Sequence, residues 1–129
     1  MNILLVDDSK IMRSLQRRTL ETLGTCNFYE ANDGEEALII LGKATAPFHF
    51  ALVDWNMPKM DGLTLVKKIR ETNKVLPLIM CTTEAEKPRV LEAIKAGVNN
   101  YAIKPFTAEQ LLSRVHQTMS RSAPQAAAA

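Results

Sequence analysis

The sequence predicts an α/β fold, a doubly wound five-stranded parallel sheet with five helices laid against its two faces. Short, uninterrupted apolar runs recur five times along the chain, and runs of that kind suit strands buried on both faces. Segments of helical period separate them, and strand-helix-strand repetition in one sheet implies right-handed crossovers. The length of 129 residues suits one domain that holds its core without disulfides or metal.

Ile3 to Val6 is the first strand, and Met12, Leu15, Thr19 and Leu23 follow it at helical spacing. Phe28 to Ala31 is the second, and the charge of Glu30 within it marks an edge. Ala37, Leu38 and Leu41 then give a helix, Phe50 to Val53 a strand, and Leu63, Val66 and Ile69 another helix. Leu78 to Cys81 is the fourth strand. The helix after it, introduced by Thr83 or Glu84, turns Val90, Leu91 and Ile94 inward and takes Pro88 in its first turn, where a missing N–H does no harm. Tyr101 to Ile103 must stop at Lys104, because Pro105 confines the residue before it to extended backbone. Leu111, Val115 and Met119 form the last helix, starting near Thr107. Gly24, Gly42 and Gly97 are expected to close three of the helices. Residues 1–121 make the domain, and 122–129, ending in four alanines, read as a loose tail.

Sixteen Lys and Arg against fourteen Asp and Glu leave a net charge of +2, with no basic run longer than the pairs Arg17-Arg18 and Lys67-Lys68. That balance argues against DNA or an anionic membrane as partner. The longest apolar runs fall far short of the roughly 20 residues of a spanning helix. Four apolar residues lead directly into Asp7-Asp8, unlike a secretory signal, so the expected location is the cytoplasm. Cys26 and Cys81 are too few for a disulfide framework and are expected reduced; His49 and His116 stand isolated, in structural or solvated roles.

In open sheets of this type, ligands bind beyond the carboxyl ends of the strands. Asp7 and Asp8 follow the first strand, Asp54 the third, Thr82 and Thr83 the fourth, and Lys104 the fifth. Singly, each has an ordinary explanation: Asp8 or Ser9 can cap a helix, and Lys104 can be a solvated charge. Jointly, three carboxylates at adjacent strand ends repel one another unless a cation lies among them, and oxygen ligands with room for water suit Mg2+. Three carboxylates against one Mg2+ and Lys104 leave a nearly neutral site that can accept a phosphoryl group. An Asp carboxylate is a competent nucleophile for phosphorus; Thr82 and Lys104 would hold two phosphoryl oxygens.

Val6-Asp7-Asp8-Ser9, Asp54-Trp55-Asn56-Met57-Pro58 with Met60-Asp61-Gly62, Thr82, and Lys104-Pro105-Phe106 together resemble the receiver domain of two-component response regulators over residues 1 to about 120. The resemblance implies the flavodoxin-like strand order 2-1-3-4-5. It also implies Asp54 as phosphoacceptor, Asp8 as a direct Mg2+ ligand, Asp7 as a water-mediated one, and Asn56 as a ligand through its backbone carbonyl. Trp55-Asn56 after the acceptor and Tyr101 before the Lys104 motif are most similar to the single-domain chemotaxis regulators. For these the family implies a monomer phosphorylated by a chemotaxis-type sensor histidine kinase, reset in part by a phosphatase, that binds the flagellar motor switch protein. Phosphorylation would move Thr82 towards the phosphoryl group and Tyr101 inward, remodelling the face of the fourth helix, fifth strand and fifth helix. Such a protein catalyses its own phosphorylation and dephosphorylation without being a turnover enzyme.

Within the family the alternative is a phosphorelay shuttle, or a receiver separated from an output domain. A phosphohydrolase of the haloacid dehalogenase type would need a second Asp where Ser9 stands, and a flavodoxin would need a glycine- and hydroxyl-rich phosphate loop in place of Asp7-Asp8-Ser9-Lys10.

Overall fold

Five parallel strands, β1 (Asn2–Val6), β2 (Asn27–Ala31), β3 (Phe50–Val53), β4 (Leu78–Thr82) and β5 (Asn100–Ile103), form one sheet in the order β2-β1-β3-β4-β5. This is the order expected, with β2 at an edge. The computed structural model describes the backbone of residues 1–128 and the side chains of residues 1–121. The five helices are α1 (Lys10–Leu20), α2 (Gly34–Lys43), α3 (Gly62–Thr72), α4 (Lys87–Ala96) and α5 (Ala108–Ala128). The backbone of α5 runs on through residues 122–128, where a loose tail was expected; residue 129 and the side chains of 122–128 lie outside the described residues.

Alternation along the strands divides the core in two. Ile3, Leu5, Phe50, Leu52, Ile79 and Cys81 pack with Leu111 and Val115 of α5, whereas Leu4, Val6, Ala51, Val53 and Met80 pack with Ala37, Leu63, Val66 and Ile69 from α2 and α3. Both faces are therefore dry, which is why these runs show no polar alternation. Among the described residues, no helix is long and apolar enough to cross a membrane.

Local chemistry starts the helices. Ser9 caps α1 by accepting from the Met12 N–H, Asp33 caps α2 through Glu36, and Asp61 caps α3 through Thr64. Thr107 and Gln110 bond reciprocally, the Gln110 N–H to the Thr107 hydroxyl and the Thr107 N–H to the Gln110 side chain, a capping box that opens α5. The start of α4 differs from expectation: Glu86, not Thr83 or Glu84, occupies its N-cap and makes no side-chain capping bond, with Pro88 in the first turn as expected. Gly97 ends α4 at φ 122°, a backbone conformation open to glycine, but Gly42 lies inside α2 and closes nothing.

Two helix faces depart from the apolar spacing. On α1 the residues turned inward are Arg13, Gln16 and Leu20, while Leu15 is half exposed. Arg13 is drawn in because its guanidinium satisfies Glu30 Oε1 at 2.9 Å, Asn32 Oδ1 at 3.0 Å and the Asp7 carbonyl. On α4 only Ala93 is buried, and Leu91 and Ile94 are about half exposed, so the helix packs by its small side. Ile103 of β5 is exposed to the same degree.

Candidate functional site

Strand register builds the site. Val6 pairs with Val53, so the residues that follow, Asp7 and Asp54, emerge side by side; the Asp54 N–H donates to the Val6 carbonyl at 2.9 Å and the Asp7 N–H to the Ala31 carbonyl at 3.1 Å. Thr82 pairs with Ile103 and accepts the Lys104 N–H on its carbonyl at 2.9 Å, which brings Lys104 to the same rim. The Lys104–Pro105 peptide bond is cis.

Asp7, Asp8 and Asp54 each offer a carboxylate oxygen within 4.8 Å of the others. Asp7 and Asp54 are buried and Asp8 is exposed. Lys104 Nζ donates to Asp7 Oδ2 at 2.7 Å and to Asp54 Oδ2 at 3.2 Å, and the Ser9 N–H fixes Asp7 Oδ1 at 2.9 Å. Thus one ammonium faces three carboxylates, and the Asp8 carboxylate meets no hydrogen-bond or ion-pair partner among the described residues. A donor set of oxygens alone, two buried and one open to water, fits a hard divalent cation that keeps part of its hydration.

The electrostatics agree with this reading. Burial raises the Asp54 carboxyl above its ordinary value; the Lys104 charge pulls it back and the Asp7 charge pushes it up, leaving a net rise. Burial works to lower the Lys104 ammonium, but its bond to Asp7 and the charges of Asp54 and Asp7 outweigh it, and Lys104 is held above its ordinary value. Lys104 therefore stays a cation, and Asp54 is a carboxylate of enhanced basicity when ionised. Cys81, behind the site, is pushed by burial to about 12 and is an inert thiol.

Thr82 is fully buried at the end of β4, and its hydroxyl oxygen accepts from the Glu84 N–H at 3.4 Å. Asn56 lies at the mouth, its side-chain amide donating to the Glu84 carboxylate at 3.3 Å. Tyr101 stands farther back, turned inward, with its hydroxyl on the Glu84 carbonyl at 2.6 Å. Asp8, Asn56, Met57, Asp61, Glu84 and Arg89 line an open cleft of about 450 Å³ beside the acids. His49 has a structural part, its Nδ1 accepting the Asn2 N–H at 3.0 Å.

Three contributors escape the motif reading. Glu84 joins Asn56 to Tyr101 across the β4–α4 loop, Arg89 stacks its guanidinium 5.1 Å above the Trp55 ring, and Arg13 supports the Asp7 carbonyl from below. None of the three is marked by the apolar spacing, and Arg13 shows itself as an inward residue of α1 only in the structure. Gly62, at the start of α3, has a positional reason: a Cβ there would collide with the Asp54 carbonyl and lie 2.8 Å from the Trp55 Cα, and the Gly62 N–H closes the loop on the Trp55 carbonyl at 2.7 Å.

Residues 3–116 match the model of the response regulator receiver domain. A chemotaxis protein CheY homologue of Campylobacter jejuni is 43% identical, with 99% of both chains covered, and CheY1 of Helicobacter pylori is 48% identical over 89% of this chain and 94% of that one. Among solved structures, CheY4 of Vibrio cholerae matches with a TM-score of 0.82 at 34% identity, covering 91% of this chain and 97% of its own. A CheY-like receiver domain protein of Methanospirillum hungatei matches at a TM-score of 0.86 and 25% identity, covering 96% and 97%. Fold, acid cluster and relatives agree, and this chain belongs to the response regulator receiver domain family.

Proposed function

We propose that the protein accepts a phosphoryl group on Asp54 from the phosphohistidine of a chemotaxis-type sensor histidine kinase, and in that state binds a flagellar motor switch protein. The observation that carries this reading is the convergence of Asp7, Asp8 and Asp54 within 4.8 Å with Lys104 bridging two of them. In the transfer an Asp54 oxygen bonds to phosphorus, the phosphorus–nitrogen bond of the donor breaks, and the imidazole nitrogen keeps the electron pair. Asp8, Asp7, Asp54 and the Asn56 backbone carbonyl would hold Mg2+, which supplies charge neutralisation for the incoming phosphoryl oxygens.

Lys104 exchanges its longer contact, to Asp54, for a phosphoryl oxygen while keeping Asp7. Thr82 turns its hydroxyl from the loop to the same group, and the β4–α4 loop carries the change to Tyr101. Half-exposed Leu91, Ile94 and Ile103 give the motor-switch partner an apolar face on α4 and β5. The protein is thus a stoichiometric acceptor whose own residues carry transfer and hydrolysis, with a phosphatase as a further partner for resetting it.

Trp55, covalently next to Asp54, reports on the test. Its emission should change saturably with Mg2+, and again with acetyl phosphate, while Asp54→Asn should abolish hydroxylamine-sensitive phosphate label with the fold intact. Label at wild-type level in Asp54→Asn, or emission flat to millimolar Mg2+, overturns the proposal.

A further inference from the structure

At the end of the sheet opposite the acid cluster, the α2–β3 connection lies between two apolar depressions. One, of about 400 Å³, is walled by Tyr29, Ile39, Ile40 and Phe48, with Lys43 at its rim. The other, of about 500 Å³, is walled by Leu38, Leu41, Ile69 and Leu76 and shares Phe48 and the loop residues Ala44, Thr45 and Ala46 with the first. Each is roomy enough to take a large side chain together with part of the backbone that carries it, within the roughly 300–1,000 Å³ of ligand-sized pockets. Their walls contain unusual exposure for apolar groups, since Tyr29 is 44% exposed, Ile39 55% and Val75 85%. Tyr29 is held upright by an edge-on contact with the Phe48 ring, centroids 5.0 Å apart, so the first depression is formed before anything enters it.

Charge decides what fits. Lys43 is the one charged side chain among the lining residues of both depressions, and no carboxylate is among them. Lys43 makes no ion pair or hydrogen bond with any described residue, although it also balances the carboxyl end of α2. Two neighbouring apolar depressions on either side of one short loop suit two side chains of an extended segment better than one small molecule.

We propose that this surface docks an acidic peptide segment of a partner protein, one large apolar side chain seated beside Tyr29 and Phe48 and a neighbouring carboxylate paired with Lys43. The surface lies away from Asp54 and from the α4–β5 face, so a partner here tethers the domain in either phosphorylation state. It serves localisation, and the phosphoryl switch serves output.

The test titrates the full chain, labelled with 15N, with the capped peptide acetyl-Glu-Glu-Trp-Glu-Leu-amide and with its counterpart carrying glutamine for every glutamate. The acidic peptide should give saturable shifts at Tyr29, Ile39, Lys43 and Thr45, and the glutamine peptide should bind roughly threefold or more weaker. Lys43→Glu should weaken the acidic peptide and favour a lysine-substituted one, and Ile39→Asp, at an exposed position, should abolish binding with the spectrum otherwise preserved. Asp54→Asn should bind as the unmodified chain does, which separates this proposal from the phosphoacceptor reading. Equal binding of the two peptides, shifts centred on Leu91, Ile94 and Ile103, or shifts that follow protein concentration without peptide, the sign of a second copy on the surface, would each overturn it.

Discussion

The Tyr101 hydroxyl donates to the Glu84 carbonyl at 2.6 Å, fastening β5 to the loop that leaves Thr82. Burial first, then the Glu84 charge, pushes the Tyr101 phenol up to about 12, so it remains a donor throughout the neutral range. The bond ties the position of the β4–α4 loop to the side-chain position of Tyr101.

Tyr101→Phe should remove that bond and cost about 1 kcal/mol of stability. Phosphorylation of Asp54 by acetyl phosphate should proceed at the unmodified rate, since Tyr101 touches none of the acids, while affinity for a motor-switch peptide changes. Stopped-flow Trp55 emission and peptide titration measure the two quantities separately; a slowed phosphorylation would assign Tyr101 to the chemistry instead.

Lys104→Arg should still take the phosphoryl group, because Asp54 and the cation site remain, but should switch poorly. A planar guanidinium has no room where one ammonium reaches both Asp7 and Asp54 at 2.7 and 3.2 Å. Thr82→Ala should act similarly by losing one hydroxyl donor, worth about 1.5–3 kcal/mol towards a charged acceptor. Phosphorylated Lys104→Arg binding its partner as tightly as the unmodified protein would contradict this assignment.

Glu30 gives a pH-dependent contribution to stability. Burial works to raise its carboxyl, but bonds from Arg17 at 2.8 Å and Arg13 at 2.9 Å, with their charges, outweigh it and hold it below the ordinary 4.5. A depressed carboxyl stabilises the fold above its unfolded value and loses that contribution as pH falls through the folded one. Urea midpoints should therefore fall below pH 4.5, by about 0.5–1 kcal/mol for this group, and Glu30→Gln should flatten that part of the profile.

Gln16 is 2% exposed and its Oε1 has no hydrogen-bond partner among the described residues. Gln16→Met keeps the length of the side chain and removes the unpaired oxygen, and it should raise stability by about 1–2 kcal/mol in a denaturant titration. A lower midpoint would mean that the amide is satisfied by solvent within the core.

The meeting of the candidate residues was legible because three of the strands give way abruptly to a charged residue. Val6 gives way to Asp7, Val53 to Asp54 and Ile103 to Lys104, and parallel register does the rest. Apolar spacing misplaced the inner face of α1 because it counts only apolar residues, whereas Arg13 is drawn inward by Glu30, Asn32 and the Asp7 carbonyl. On α4 it chose Leu91 and Ile94, yet the helix turns its small residue, Ala93, inward and leaves those two about half exposed. The Glu84 bridge depends on the path of a loop, and no periodicity encodes that path.

The close contact between Gly62 and the Asp54 main chain limits where the proposed acceptor can move. With the Asp54 carbonyl already where a methyl group on residue 62 would stand, the peptide plane of the acceptor cannot recoil towards α3 without driving into that helix. If Asp54 is phosphorylated as proposed, a displacement there would have to be taken up on the opposite bank, where the Glu84 N–H meets the Thr82 hydroxyl and the Tyr101 hydroxyl meets the Glu84 carbonyl through single hydrogen bonds. A glycine with no chemistry of its own would thus make the response to a phosphoryl group one-sided.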